Sequence, residues 1–107
     1  MILRGRDLEG HSFSVEFDSA NFQQHGGRLI IGRKRNLCQL HLPHDSVSRQ
    51  HAALVSKDSS ICIEDRNSGN GTILNGRTLT IVSPPVPLKS GDRIKLGEVE
   101  LMFDVLS

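Results

Sequence analysis

Three short clusters in the middle of the chain hold side chains able to bind an oxyanion. Gly32-Arg33 closes an apolar run, Ser48-Arg49-Gln50-His51 opens the next, and Ser68-Gly69-Asn70-Gly71-Thr72 lies in a glycine-rich loop. Together they offer a guanidinium fork, a hydroxyl with a second arginine beside it, and an amide. A fork and a hydroxyl can satisfy several oxygens of one phosphate, the fork through charge-assisted and often bidentate bonds. An asparagine amide both donates and accepts, so it can pair with an extended peptide backbone. Charge follows the same zone. Residues 28–51 carry Arg28, Arg33, Lys34, Arg35 and Arg49 against Asp45 alone, five minus one, while the whole chain sums to +1. One basic zone on a near-neutral body suits a small anionic target better than a long polyanion.

Those clusters must be held by strands. Phe13, Val15 and Phe17 alternate with polar residues, as do Ile61 and Ile63 around Cys62, and Val99, Leu101, Phe103 and Val105 at the end of the chain. Leu29-Ile30-Ile31 and Ala52-Ala53-Leu54-Val55 are continuous apolar runs, expected of strands covered on both faces. No window repeats apolar residues at i, i+3, i+4 and i+7, so helix is nearly absent from the expectation. Turn signals recur every several residues, among them His25-Gly26-Gly27, Ser83-Pro84-Pro85 and Ser90-Gly91-Asp92. Asn75-Gly76 reads as a two-residue hairpin turn whose whole demand is positive φ. The reading is a single all-β domain over 1–107, a sandwich or small barrel with binding residues on its loops.

Composition narrows the classes of function. The chain has 107 residues, 36% of them hydrophobic and 23% charged, an ordinary globular balance. No apolar stretch is long enough to span a membrane and no signal-like leader is present, so the expectation is cytoplasmic with no membrane insertion. Two cysteines, Cys38 and Cys62, fit reduced, partly buried thiols better than a disulfide framework. Cys38, His41, His44 and His51 do not have a standard metal spacing, so no metal and no cofactor are expected. The absence of Trp and Tyr removes the stacking surface that single-stranded nucleic acid needs. His51 stands three residues from Ser48, but no nucleophile elbow and no orienting carboxylate motif accompany them; a histidine that holds the turn is the better reading, without catalysis or a small-molecule substrate.

Order and spacing over roughly residues 28–105 resemble the forkhead-associated (FHA) domain, a phosphothreonine-peptide-binding β-sandwich. The resemblance runs through Leu29-Ile30-Ile31-Gly32-Arg33, Leu40-His41-Leu42-Pro43, Val47-Ser48-Arg49-Gln50-His51-Ala52, Asp65, Ser68, Asn70-Gly71-Thr72, Asn75-Gly76 and Leu88 to Gly97. It implies two mainly antiparallel sheets with binding loops at one end. It implies phosphate contact by Arg33, Ser48 and Arg49, and a hold on the peptide main chain by Asn70. Lys34, Arg35 and Gly69 would lie at the periphery, and Gly32 and His51 would shape the site without touching ligand. The implied function is phosphothreonine-dependent recruitment of a partner protein in signalling or regulation; the rival is a phosphate-independent assembly module. Two positions depart from the family pattern. Gly69 stands where a hydroxyl residue is common, which implies modest affinity. Ser46 stands where some members carry an arginine selecting an acidic residue downstream, and that preference is not supported here.

Overall fold

The computed structural model describes residues 1–105. Its elements in chain order are β1 (Ile2–Arg6), β2 (Ser12–Glu16), α1 (Ser19–Gln24), β3 (Arg28–Gly32), a 3-10 turn (Arg35–Leu37), β4 (Leu40–His41), β5 (Ala52–Lys57), β6 (Ser60–Asp65), β7 (Thr72–Leu74), β8 (Arg77–Leu79), β9 (Val86–Pro87), β10 (Arg93–Leu96) and β11 (Val99–Asp104). Six strands form one sheet in the order β2-β1-β11-β10-β7-β8, and five form the other in the order β4-β3-β5-β6-β9. Every pairing is antiparallel except β3 with β4. The all-β sandwich of two mainly antiparallel sheets is therefore present. Among the described residues no helix is long and apolar enough to cross a membrane.

The alternating residues close the sandwich. Leu3, Ile94, Leu101 and Phe103 from one sheet meet Leu29, Ile31, Leu54 and Ile63 from the other, each at most 1% exposed. Fully burying one such side chain stabilises by about 1.5–3 kcal/mol, enough to fix the register and with it the loops at the strand ends. Leu29-Ile30-Ile31 is buried throughout, as a doubly covered strand requires.

Several local expectations change. A short helix, α1, follows β2 and buries Phe22. Its signal is a capping box: Asp18 accepts the Asn21 N–H at 3.0 Å and Asn21 accepts the Asp18 N–H at 2.8 Å. Six residues are too few to display a helical apolar repeat. Phe17 lies just past β2, yet it is buried and stacks on Phe103 at 6.4 Å. Val105 falls beyond β11 and is 56% exposed, so the alternation ends at Phe103. Cys62 is buried as well as Ile63, so β6 is covered on both faces there. Asn75 does hold positive φ (50°), with Gly76 at 83°, but its side chain does more than turn the chain. Its Nδ2 donates to Asp92 Oδ1 at 3.0 Å and its Oδ1 accepts the Arg93 N–H at 2.8 Å, tying the hairpin to β10.

Candidate functional site

Arg33 leaves the end of β3 and runs against the loop that precedes β5. Its backbone N–H donates to the Ser48 carbonyl at 3.0 Å, and Lys34 N–H donates to the Arg49 carbonyl at 3.2 Å. These bonds bring the two chains so close that Gly32 has no room for a side chain. A Cβ there would lie 2.2 Å from Arg49 O and 2.9 Å from Ser48 O. The sequence reading of Gly32 as a point of close backbone approach therefore acquires its partner, the Ser48–Arg49 peptide. The Arg33 guanidinium is held by its own Nε, which donates to the Val47 carbonyl at 2.9 Å; the residue is exposed, and its terminal amino groups make no hydrogen bond or ion pair among the described residues. The Arg33 carbonyl accepts from His41 Nε2 at 3.0 Å.

Ser48 Oγ accepts the Gly69 N–H at 2.9 Å, so the hydroxyl proton remains available to a ligand. His51 ties the same two loops from beneath and is wholly buried. Its Nδ1 accepts the Ser48 N–H at 3.0 Å, which puts the ring hydrogen on Nε2, and that donates to the Gly71 carbonyl at 2.7 Å. Burial pushes the imidazole below its ordinary value, against the Gly71 bond and the field of Asp65; the ring is held neutral. Both ring nitrogens are spent on backbone, and neither serves the Ser48 hydroxyl as a base.

The third loop is fastened by Asp65, whose carboxylate accepts from Ser68 N (3.1 Å), Ser68 Oγ (2.6 Å) and Thr72 Oγ1 (2.7 Å). Sequence reasoning gave Asp65 no role; its spacing to Ser68, an aspartate bonding backbone three residues on, is the turn signal that could have revealed it. Asn70 is exposed and spends one N–H on the Ser46 carbonyl at 2.8 Å, keeping its oxygen and second N–H. No local pattern marks Ser46 as that anchor. Gly69 is not in the left-handed region, and a Cβ there would sit at an ordinary 3.8 Å from Ser48 Oγ.

Arg33, Ser48 and Asn70 thus meet at one end of the sandwich through loops interlocked by backbone bonds. Lys34 and Arg35 continue from Arg33 into the 3-10 turn, exposed, and Arg49 is exposed beside Ser48. Among the described residues none of Arg33, Lys34, Arg35 and Arg49 forms an ion pair. The residues weighed as metal ligands serve other partners: Cys38 Sγ donates to Arg49 O at 3.0 Å, and His44 binds Ser46. Burial pushes the Cys38 thiol up, leaving it a poor thiolate. Ligand atoms of Asp7, Glu9 and His11, a trio not singled out in the sequence, come within 4.8 Å of one another.

The FHA domain family matches residues 29–97. A protein phosphatase 1 regulatory inhibitor subunit PPP1R8 homolog from Arabidopsis thaliana is 42% identical over 71 residues, 65% of this chain and 19% of the relative. Angiogenic factor with G patch and FHA domains 1 from Homo sapiens is 35% identical over 83 residues, 70% of this chain and 11% of the relative. The chain thus spans less than a fifth of the length of either. A structure solved in a study of phosphothreonine-dependent FHA domain interactions superposes with a TM-score of 0.71 at 27% identity, covering 99% of this chain and 96% of that one.

Proposed function

The chain belongs to the FHA domain family, and on that premise we propose that it recruits partner proteins through a phosphorylated threonine. The observation that carries the reading is the convergence of an aimed arginine fork, a hydroxyl with a free proton and an anchored amide, beside cations with no carboxylate partner among the described residues. A phosphothreonine brings a charge of about −1.5 to −2 and three acceptor oxygens. In this reading the terminal amino groups of Arg33 take two of them, and Ser48 donates to the third. Arg49 adds charge, with Lys34 and Arg35 at the rim. Asn70 uses its remaining oxygen and N–H to hold the peptide main chain. Gly32 and His51 set the spacing between loops and touch no ligand.

The reading includes no catalysis, since His51 is committed to Ser48 N and Gly71 O. It includes neither nucleic acid nor membrane insertion. The free thiols of Cys38 and Cys62 support a cytoplasmic setting in signalling or regulation. Titration by calorimetry with one peptide in phosphothreonine, phosphoserine and unphosphorylated forms tests it. Phosphothreonine binds, phosphoserine is several-fold weaker for want of a methyl worth about 0.8 kcal/mol, and the unphosphorylated form is weakest. Binding indifferent to the phosphate would favour the assembly-module reading instead.

A further inference from the structure

We propose that the peptide site continues past Asn70 into an acidic groove that takes a cationic side chain, a lysine or arginine of the same bound peptide; this rests on the phosphothreonine reading above. The groove is open, has a volume of about 700 Å³, and has Asn70 and Ser46 on its wall. It is therefore continuous with the peptide site and not a separate pocket. Four carboxylates face it: Asp7 and Glu9 from the β1–β2 turn, Asp45 from the β4–β5 loop and Glu98 from the β10–β11 turn. No lysine or arginine lines it.

The imidazoles of His11 and His44 are its other titratable groups, so even with both protonated two negative charges stay uncompensated. Glu9, Asp45 and Glu98 make no ion pair among the described residues. Asp7 is a fixed charge in the wall. Burial pushes its carboxyl up, but the N–H groups of His11 and Glu9, both at 2.9 Å, and the His11 ring outweigh burial and hold it below the usual carboxylate range.

Two further features fit a long cationic side chain rather than a small ion. Phe13, its ring 6.0 Å from that of His44, and Pro43 supply apolar surface for a methylene stem. A series of short contacts links the two sites. Asn70 bonds Ser46 at 2.8 Å, Ser46 bonds His44 at 2.8 Å, and His44 Nε2 stands 3.4 Å from Asp7. Asp45 adjoins Ser46, so the acidic wall begins beside the residue that anchors Asn70. A basic phosphate site next to an acidic groove also fixes peptide direction, since a reversed peptide meets like charges.

The test is a set of phosphothreonine peptides with Lys, Ala or Glu placed in turn at each of the four positions on either side, plus the unphosphorylated alanine peptide, measured with chelator present to keep the Asp7–Glu9–His11 trio free of divalent ions. At one or two positions on one side Lys binds about fivefold tighter than Ala, the upper range for an exposed charge pair, and Glu binds weaker. Salt at 0.5 M flattens the difference. In the double variant Asp45→Asn, Glu98→Gln, both exposed positions, the Lys-to-Glu ratio at that position falls towards one. Equal binding of Lys and Glu peptides everywhere, with phosphate still required, overturns the groove alone. So does a Lys preference that survives the double variant. Loss of phosphate dependence in the alanine peptide overturns the phosphothreonine reading and this proposal with it.

Discussion

Replacing His51 with alanine tests whether the binding loops are assembled from within. The ring is fully buried and bridges two backbone groups, Ser48 N–H and Gly71 C=O, from two different loops, the second twenty residues beyond His51 itself. Alanine leaves both without that partner, at about 1–3 kcal/mol for each buried group that stays unsatisfied, and it opens a cavity of ring size. A loss of about 3–5 kcal/mol follows, a large part of the roughly 5–15 kcal/mol typical of a whole domain. At about 4 °C per kcal/mol for a domain of this size the unfolding midpoint falls by about 12–20 °C. Urea unfolding gives the energy directly, and peptide titration well below the new midpoint shows binding weakened through loosened loops.

The same residue predicts a pH dependence. The folded state holds His51 neutral with its pKa lowered, so below the ordinary value of about 6.5 the unfolded chain takes up a proton that the folded chain refuses. Stability from this group is present above that pH and is lost as the pH falls towards the folded-state value. The alanine variant lacks that part of the acid slope. His11 acts in the opposite sense: Asp7 raises its pKa, so its contribution is present at low pH and lost as pH rises, but the exposed ring is screened by water. It is common to both proteins and cancels in the comparison. A His51→Ala protein that melts within about 1 kcal/mol of the parent yet fails to bind would refute the reasoning, since that pattern belongs to a ligand contact.

Arg33→Ala lowers phosphopeptide affinity at least tenfold, about 1.4 kcal/mol, while costing at most about 1 kcal/mol of stability for the lost Nε bond to Val47; calorimetry and a melting curve separate the two. Arg33→Lys does not restore binding, because an ammonium lacks the fork that Val47 aims. Gly32→Ala drives a Cβ onto the Arg49 carbonyl, 2.2 Å away on backbone that must move; stability falls by about 1–3 kcal/mol, and binding falls with it as Ser48 is displaced. Gly69→Thr meets no strain, so it rigidifies the unbound loop, stabilises by about 0.4–1 kcal/mol and tightens phosphothreonine binding about two- to fivefold, whereas Asn70→Ala weakens it strongly. Weaker binding by Gly69→Thr at unchanged stability would make loop freedom part of recognition.

Strand content, hairpin and basic zone were legible because each is a local property. Side-chain alternation follows from the two-residue period of one strand, and Asn75-Gly76 turns because its own backbone takes positive φ. That Arg33, Ser48 and Asn70 come together was legible through type and order, and so was Gly32 as a place needing room. Local windows fail where an element is short or its partner distant: α1 has six residues, and Pro87 is tolerated in β9 because that strand is a sheet edge. What fills the space beside Gly32 is the Arg49 carbonyl, and what anchors Asn70 is the carbonyl of Ser46, 24 residues earlier. Asp7, Asp45 and Glu98 share one groove only because β1, β4–β5 and β10–β11 end together, and Ser46 Oγ takes the Glu98 N–H across 52 residues of sequence. No periodicity encodes such meetings; they exist once two sheets have packed on a common core and brought their loops to the same end.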